Sequence, residues 1–235
     1  MSIYRSLSER EFEDIRQRIL LEDNHIIVFN KKVGEIVQGD KTGDEPLGET
    51  LKAFVAQRDG KPGQVFMGVP HRLDRPVAGV VLFAKTSKAL ERLNAMLRDG
   101  EIHKTYWALT GSRPPKDSDT LTDYLVRNEK QNKYYITGKS ASAKEARLKY
   151  TLIQTTERYF LLEVELFTGR HHQIRCQLAG MGCPIKGDLK YGAPRSNPDG
   201  GISLLARRIQ FVHPVKKTQV DITAPVPSSW KGVSD

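Results

Sequence analysis

What this 235-residue chain lacks narrows its chemistry before any motif is read. It has two cysteines, Cys176 and Cys183, and their C-x6-C spacing matches neither a zinc knuckle nor a redox pair. They read as reduced thiols of a cytosolic protein. No apolar run approaches the roughly 20 residues of a membrane-spanning helix. The opening stretch, MSIYRSLSEREFEDIRQRILLEDN, has no apolar core and carries acids throughout, so no secretory or transit signal is readable and a cytoplasmic location is expected. Also missing are G-x-G-x-x-G, a Walker A sequence and a nucleophile-elbow serine, which removes the usual support for nucleotide-cofactor and α/β-hydrolase chemistry. GDKTGDEPLGET is acidic but lacks the D-x-[DN]-x-[DN]-G spacing of a calcium loop. No repeat or low-complexity segment stands out.

Acid is also scarce in the larger part of the chain. Residues 1–60 hold 9 Lys+Arg against 12 Asp+Glu, whereas residues 61–235 hold 28 against 16, so the whole net charge of +9 originates there. A polyanion-binding surface requires such a field, because each neutralised phosphate releases counterions. With 38% hydrophobic residues the chain is long enough to bury a substantial core.

The apolar spacing predicts mixed secondary structure. SEREFEDIRQRI opens with a capping-box pattern, Ser8 to Glu11, and places Phe12, Ile15 and Ile19 on one face of a short helix over residues 8–20. HIIVFNK predicts a strand, and GDKTGDEPLGET a loop before a helix around LKAFVAQ. SKALERLNAMLRDG predicts a helix with Ser87 as N-cap, Leu90, Leu93 and Leu97 on one face and Gly100 as the stop. IHKTYWALTG predicts a strand with Ile102, Lys104, Tyr106 and Ala108 on one side. ARLKYTLIQ, YFLLEVELF, ISLLARRIQFV and TQVDITA predict further strands, and their short connections favour an antiparallel or mixed sheet over βαβ winding. SRPPKDSD reads as a linker, and RNEKQNKYYITGKSASAK as a solvated hairpin or loop.

Two segments carry an unusual density of functional side chains. GVPHRLDRPVAGVVLFAKT sets His71, Arg72, Asp74 and Arg75 at the mouth of an apolar strand. FTGRHHQIRCQLAGMGCPIKGDLKYG packs Arg170, His171, His172, Gln173 and Arg175 into six positions, with Ile174 and Leu178 spaced for a helix that stops near Gly180 or Gly182. Adjacent histidines point about 100° apart on a helix, so His171 and His172 are not read as a metal pair. No metal site is expected.

HRLDRPVAGVVLFAKT, IHKTYWALTG and TGRHHQIRCQLAGMGCPIKGDLKYG resemble, in the same order and at similar intervals, the three motif regions of the RluA-type RNA pseudouridine synthases. LEDNHIIVFNKKVGEIVQGD is similar to that family's opening strand and loop, and LLARRIQFVHP to its late strand. The resemblance covers roughly residues 22 to 227. It implies an α+β pseudouridine synthase fold, a curved, mostly antiparallel or mixed central sheet flanked by helices and loops. It also implies cofactor-free isomerisation of uridine in structured RNA, ribosomal or transfer, to pseudouridine. Residues 1–21 are then an N-terminal helical extension, too short for the S4 domain of some relatives, and residues 22–235 a single catalytic domain. A monomer is the default for this size and class.

Residue by residue, the resemblance implies that Asp74 is the catalytic aspartate, Tyr106 the active-site tyrosine and Arg175 the basic residue that pairs with the aspartate. Leu204 falls near the apolar pocket residue of the late strand. Arg72, Arg75, Arg170, His172 and Gln173 are candidate contacts to substrate RNA, with a structural role equally open for Arg72 and Arg75. Three departures stand out. Val77-Ala78-Gly79 replaces the usual Thr-Ser-Gly, Gln177 stands where a His is expected, and Leu204-Leu205-Ala206 replaces Leu-His-Ala.

The reaction explains the residue types. Pseudouridine formation breaks the N1–C1′ bond, turns the uracil and rejoins it through C5, which needs an ionised carboxylate acting as nucleophile or as base at the sugar. A guanidinium beside that carboxylate favours its charged form, and an aromatic face holds a flipped-out base. The alternative is a synthase-like RNA-binding protein or chaperone without turnover. Glycosidic or phosphodiester hydrolysis lacks the paired carboxylates or metal ligands it would need.

Overall fold

The computed structural model describes residues 3–40 and 42–234. They form two compact units, the first from residues 1–102 and 208–224, the second from 103–207 and 225–235.

In the first unit, α1 (Glu9–Gln17) begins as its capping box predicts. The Ser8 hydroxyl accepts from the Glu11 N–H while the Glu11 carboxylate accepts from the Ser8 N–H. Its Phe12 ring meets Phe54 at 4.6 Å. The helix stops short of the expected residue 20, and Ile19 instead opens β1 (Ile19–Glu22), which pairs with β2 (Ile26–Lys31). Ile26 to Phe29 are all fully buried, so this strand reads as an unbroken apolar run because both faces are covered. Helix α2 (Leu47–Arg58) starts inside the expected loop: Gly48 and Thr50 look like loop formers, but buried Leu47 and Leu51 at i,i+4 fold them into the first turn.

Strand β3 (Ala78–Ala84) lies antiparallel to β2, from Ile26↔Ala84 to Lys31↔Gly79. Helix α3 (Ser87–Arg98) is capped by Thr86, not Ser87. The extended backbone that a cap requires falls one residue earlier, where the Thr86 hydroxyl accepts from the Ala89 N–H at 3.1 Å. It buries Ala89, Leu93 and Met96, so the core face is rotated from the expected leucine stripe. Gly100, at φ +76°, supplies the left-handed exit.

The second unit is built on β4 (His103–Thr110), β5 (Ser118–Asn128), β6 (Lys133–Thr137), β7 (Lys144–Thr155) and β8 (Phe160–Leu166), paired in the order β4-β8-β7-β5-β6. Every one of these ladders is antiparallel. β5 begins inside the expected linker, and β5 with β6 forms the hairpin expected only as solvated structure. Its residues are mostly polar, with Leu125 the one buried member, and its eight-residue ladder to β7 (Ser118↔Thr151 to Leu125↔Lys144) fixes the strand. Helix α4 (Gln173–Gly180) packs Cys176 with Leu125, Ala146 and Tyr191. Burial pushes the Cys176 thiol up to about 11, and neither cysteine forms a disulfide.

Strand β9 (Leu204–Val212) runs from the second unit into the first, where β10 (Gln219–Thr223) pairs with it antiparallel. The class is α+β, as the strand pattern predicts. No helix among the described residues is long and apolar enough to cross a membrane.

Candidate active site

In the first unit, Arg72, Asp74 and Arg75 sit on one loop, and what fixes that loop is a lysine that sequence reasoning passed over. Lys31, the last residue of β2, is 1% exposed. Its ammonium donates to the carbonyls of Lys32 (3.0 Å), Asp74 (3.2 Å), Arg75 (3.1 Å) and Val77 (2.6 Å). Three protons are thus shared among four acceptors. The Val77 N–H also donates to the Asp74 carbonyl at 3.0 Å, closing a turn, and the Gly34 N–H donates to the Arg75 carbonyl at 2.9 Å. His71 accepts the Leu82 N–H at Nε2 (3.1 Å), which ties the start of the loop to β3. The main chain bearing Asp74 is therefore held from three sides. Burial pushes the Lys31 ammonium down to about 8. The signal for it was a single lysine ending the apolar run IIVFNK.

The two flanking arginines differ. Arg72 donates to the Gln38 amide oxygen at 3.2 Å from an exposed position. Arg75 is held by the neighbouring loop, with Asp44 at 2.6 Å, Asp40 at 3.1 Å and the Thr42 hydroxyl at 2.6 Å. These bonds raise the Arg75 guanidinium above its ordinary value, Asp44 contributing most. Asp40 falls to about 2, chiefly through the Thr42 hydroxyl.

In the second unit, Tyr106 lies on β4 opposite Val164 of β8 and is 7% exposed. Lys104, two residues earlier on the same face, has its ammonium pushed down by burial. The remaining predicted residues gather around α4. Arg175 is 5% exposed and grips Asp188, 1% exposed, through two bonds, Nε to Oδ2 at 2.6 Å and Nη2 to Oδ1 at 2.8 Å. The Tyr191 ring lies 5.1 Å from the same guanidinium. Sequence reasoning paired Arg175 with Asp74 and did not single out Asp188, whose signal is the G-D of IKGDLKYG.

His172 caps α4 with φ +55°, a conformation that costs a non-glycine residue and persists only where its surroundings impose it. Those surroundings are close at hand: Nδ1 lies 2.9 Å from the Tyr191 hydroxyl, and the ring stacks on His171 at 4.1 Å. Tyr191 in turn accepts from the Tyr134 N–H at 2.9 Å, so its hydroxyl joins α4 to β6.

Gln173, expected at the substrate, is 2% exposed and its amide is engaged inside the unit. Its oxygen accepts from the Thr168 hydroxyl and the Arg170 N–H, both at 2.9 Å, while its nitrogen donates to the Arg147 carbonyl at 3.1 Å. It shapes the loop before α4. Exposed Arg170 donates from Nε to the Glu145 carbonyl at 2.8 Å. Leu204 is buried at the start of β9.

Three of the departing residues are interior. Val77 is 2%, Gln177 1% and Leu205 1% exposed. Gln177 donates to the Asp123 carboxylate (2.7 Å) and the Ala146 carbonyl (3.1 Å), a link from α4 to β5 and β7. The change from the family pattern here is met by packing inside the unit.

Residues 25–180 match the family model described as RNA pseudouridylate synthase. The chain is 32% identical over 228 residues to ribosomal large subunit pseudouridine synthase D of Xylella fastidiosa, covering 92% of this chain and 67% of that protein. It is 30% identical over 219 residues to ribosomal large subunit pseudouridine synthase C of Vibrio cholerae, covering 91% and 67%. Among solved structures, human RNA pseudouridylate synthase domain containing 4 shares the fold, with a TM-score of 0.78 at 23% identity over 93% of this chain and 92% of that one. With this match over residues 25–180 and relatives of 30% identity or more, the chain, which carries an HRLD loop tied down by Lys31, a strand tyrosine at 106 and a buried arginine at 175, belongs to the RNA pseudouridine synthases, isomerases that convert uridine in RNA to pseudouridine.

Proposed function

We propose that this protein isomerises specific uridines of large-subunit ribosomal RNA, with Asp74 as the catalytic carboxylate and Tyr106 and Arg175 in the roles that the family pattern implies. The RNA is inferred from relatives named for the ribosomal large subunit. The observation that carries Asp74 is the four-carbonyl grip of Lys31, which holds the turn at Asp74 from a buried strand end. A carboxylate that must meet a sugar or base within a few tenths of an ångström needs a main chain that does not drift.

The carboxylate attacks the ribose or removes a proton from it, and the N1–C1′ bond breaks. The uracil turns and C5 bonds to C1′ as the carboxylate leaves the ribose or the ribose regains its proton; C5 then loses its proton to water and N1 gains one. The product has the composition of uridine, the C5 proton exchanging with water, and no electron is transferred overall, so no co-substrate enters the balance. Tyr106 presents an aromatic face to the flipped uracil, and Arg175 supplies positive charge. Arg72 and Arg170, exposed on their loops, contact phosphates. Arg75 does so on leaving Asp40 and Asp44. His172 keeps the Arg170 loop in place from its strained cap. The second unit, with 18 Lys+Arg against 11 Asp+Glu, carries +7 of the net charge and provides most of the attraction for RNA. The protein acts as a cytoplasmic monomer.

The test uses ribosomal RNA labelled with tritium at uridine C5. Wild type is expected to release tritium to water, and Asp74→Asn to be slower by at least about three orders of magnitude while still binding RNA. Tight, salt-sensitive binding with no release by wild type would instead identify an RNA-binding protein without turnover.

A further inference from the structure

The second unit contains two adjoining cavities lined by none of the residues assigned above. One, of about 580 Å³, opens between the β7–β8 turn at Thr156–Tyr159, Lys186 and the tail at Ser229–Gly232. The other, of about 340 Å³, lies between Ser112, Gly187 and residues 193–198. Tyr159 and Lys186 line both, with the Lys186 ammonium 5.2 Å from the centroid of the Tyr159 ring.

The lining of these cavities is cationic. Arg158 and Lys231 line the first, Arg195 the second and Lys186 both. None of the four forms an ion pair among the described residues, and Glu157 is the one acid in either lining. On the same unit Arg113 is paired with Asp117 at 2.7 Å and Lys116 with Asp119 at 2.8 Å. Four cations against one acid leave the joint lining net positive, which the Tyr159 ring against Lys186 offsets in part, so the arrangement suits an anion from outside.

The lining selects among anions. Ser112, Ser196, Asn197 and Ser229 supply neutral donors of the kind that contact phosphate oxygens. One face of the Tyr159 ring is covered by the Lys186 ammonium, so the ring supports that cation. Leu109, which lines the first cavity, lies three residues beyond Tyr106 on β4, roughly 10 Å along the strand and on its opposite face. A ligand here is not the reacting nucleotide at Tyr106.

We propose that the two cavities form one phosphodiester-binding site, which grips RNA flanking the target uridine through its backbone and without reading its sequence. This rests on the RNA substrate proposed above. It makes Arg158, Lys186, Arg195 and Lys231 determinants of affinity with no part in the chemistry.

The test compares the full chain with Arg158→Gln/Lys186→Gln/Lys231→Gln and with a charge-matched control, Arg10→Gln/Lys88→Gln/Arg98→Gln, at exposed positions of the first unit. The double variant Arg158→Gln/Lys231→Gln keeps the Lys186–Tyr159 contact and replaces the triple variant if that fails to fold. Binding to transcribed large-subunit ribosomal RNA is measured against salt, and tritium release in single turnover at saturating RNA. The expected result is a fall of about 2 in the log K against log salt slope for the triple variant, at roughly 0.7 to 0.9 per phosphate contact, with the saturating rate unchanged. A slope within about 0.5 of wild type, or an equal fall in the control, overturns the site and leaves the cavities to another acidic partner. If wild type releases no tritium the catalytic reading fails, while the slopes still decide the binding site.

Discussion

The ammonium of Lys31 lies 2.6 Å from the carbonyl oxygen of Val77, three residues past Asp74, and is closed off from water. A buried lysine without a carboxylate at hydrogen-bond distance among the described residues is unusual, and here backbone carbonyls take that place. The lysine therefore acts as a clamp on main chain, fixing the loop independently of what the Asp74 carboxylate does.

Lys31→Met keeps the apolar stem and removes the clamp. Carbonyls of Asp74, Arg75 and Val77 then lose a donor, at about 1–3 kcal/mol for a buried group left unsatisfied. We expect a loss of about 2–4 kcal/mol in urea unfolding and a tritium-release rate that falls with little change in RNA affinity. An unaltered unfolding midpoint would show that the loop holds its shape without Lys31.

The same residue sets a pH dependence. Its folded value, about 8, lies below the ordinary 10.5, so between these limits the unfolded chain binds more protons than the folded one. Stability from this group therefore rises with pH across that window, by up to about 1.4 kcal/mol per unit, and its cost is fully present below about 8. Unfolding curves of wild type and Lys31→Met taken from pH 7 to 10.5 should separate further as pH rises, and parallel curves would contradict a depressed lysine.

Lys31 also marks the limit of what a sequence discloses. The motifs around Asp74, Tyr106 and Arg175 were legible because their residue types and order carry the chemistry. The apolar strands were legible because Ile26–Phe29 and Val80–Ala84 are buried on both faces. The Lys31 clamp and the Arg175–Asp188 pair were not, because each joins residues whose spacing in the chain has no local periodicity to reveal it. β5 was hidden for a different reason: its strand is held by its ladder to β7, while its composition is that of a loop. Gln173 reads in the sequence as a ligand contact because it is an amide beside arginines, and its three bonds inside the unit have no sequence signal.

Gln177 tests whether a departure from the family pattern alters function or packing. Gln177→Ala leaves the Ala146 carbonyl and the Asp123 carboxylate without its amide and opens a small void at a 1% exposed position. A loss of about 1–3 kcal/mol is expected, with the modified uridine unchanged when mapped on total RNA. Modification at a different uridine would give Gln177 a role in target choice.

Arg175 and Asp188 make the last prediction, because here stability and chemistry are separable. Arg175→Ala leaves a carboxylate buried without its two-bond partner, and Asp188→Asn leaves the guanidinium with a neutral one; breaking a buried pair costs on the order of 3–5 kcal/mol. Replacing both at once by apolar residues of similar volume, Arg175→Met with Asp188→Leu, should recover much of that loss, since the cost comes from the uncompensated charge. Turnover should not recover with it if Arg175 serves the reaction as well as the fold. A double variant that regains both its melting temperature and its tritium release would reduce Arg175 to a structural residue.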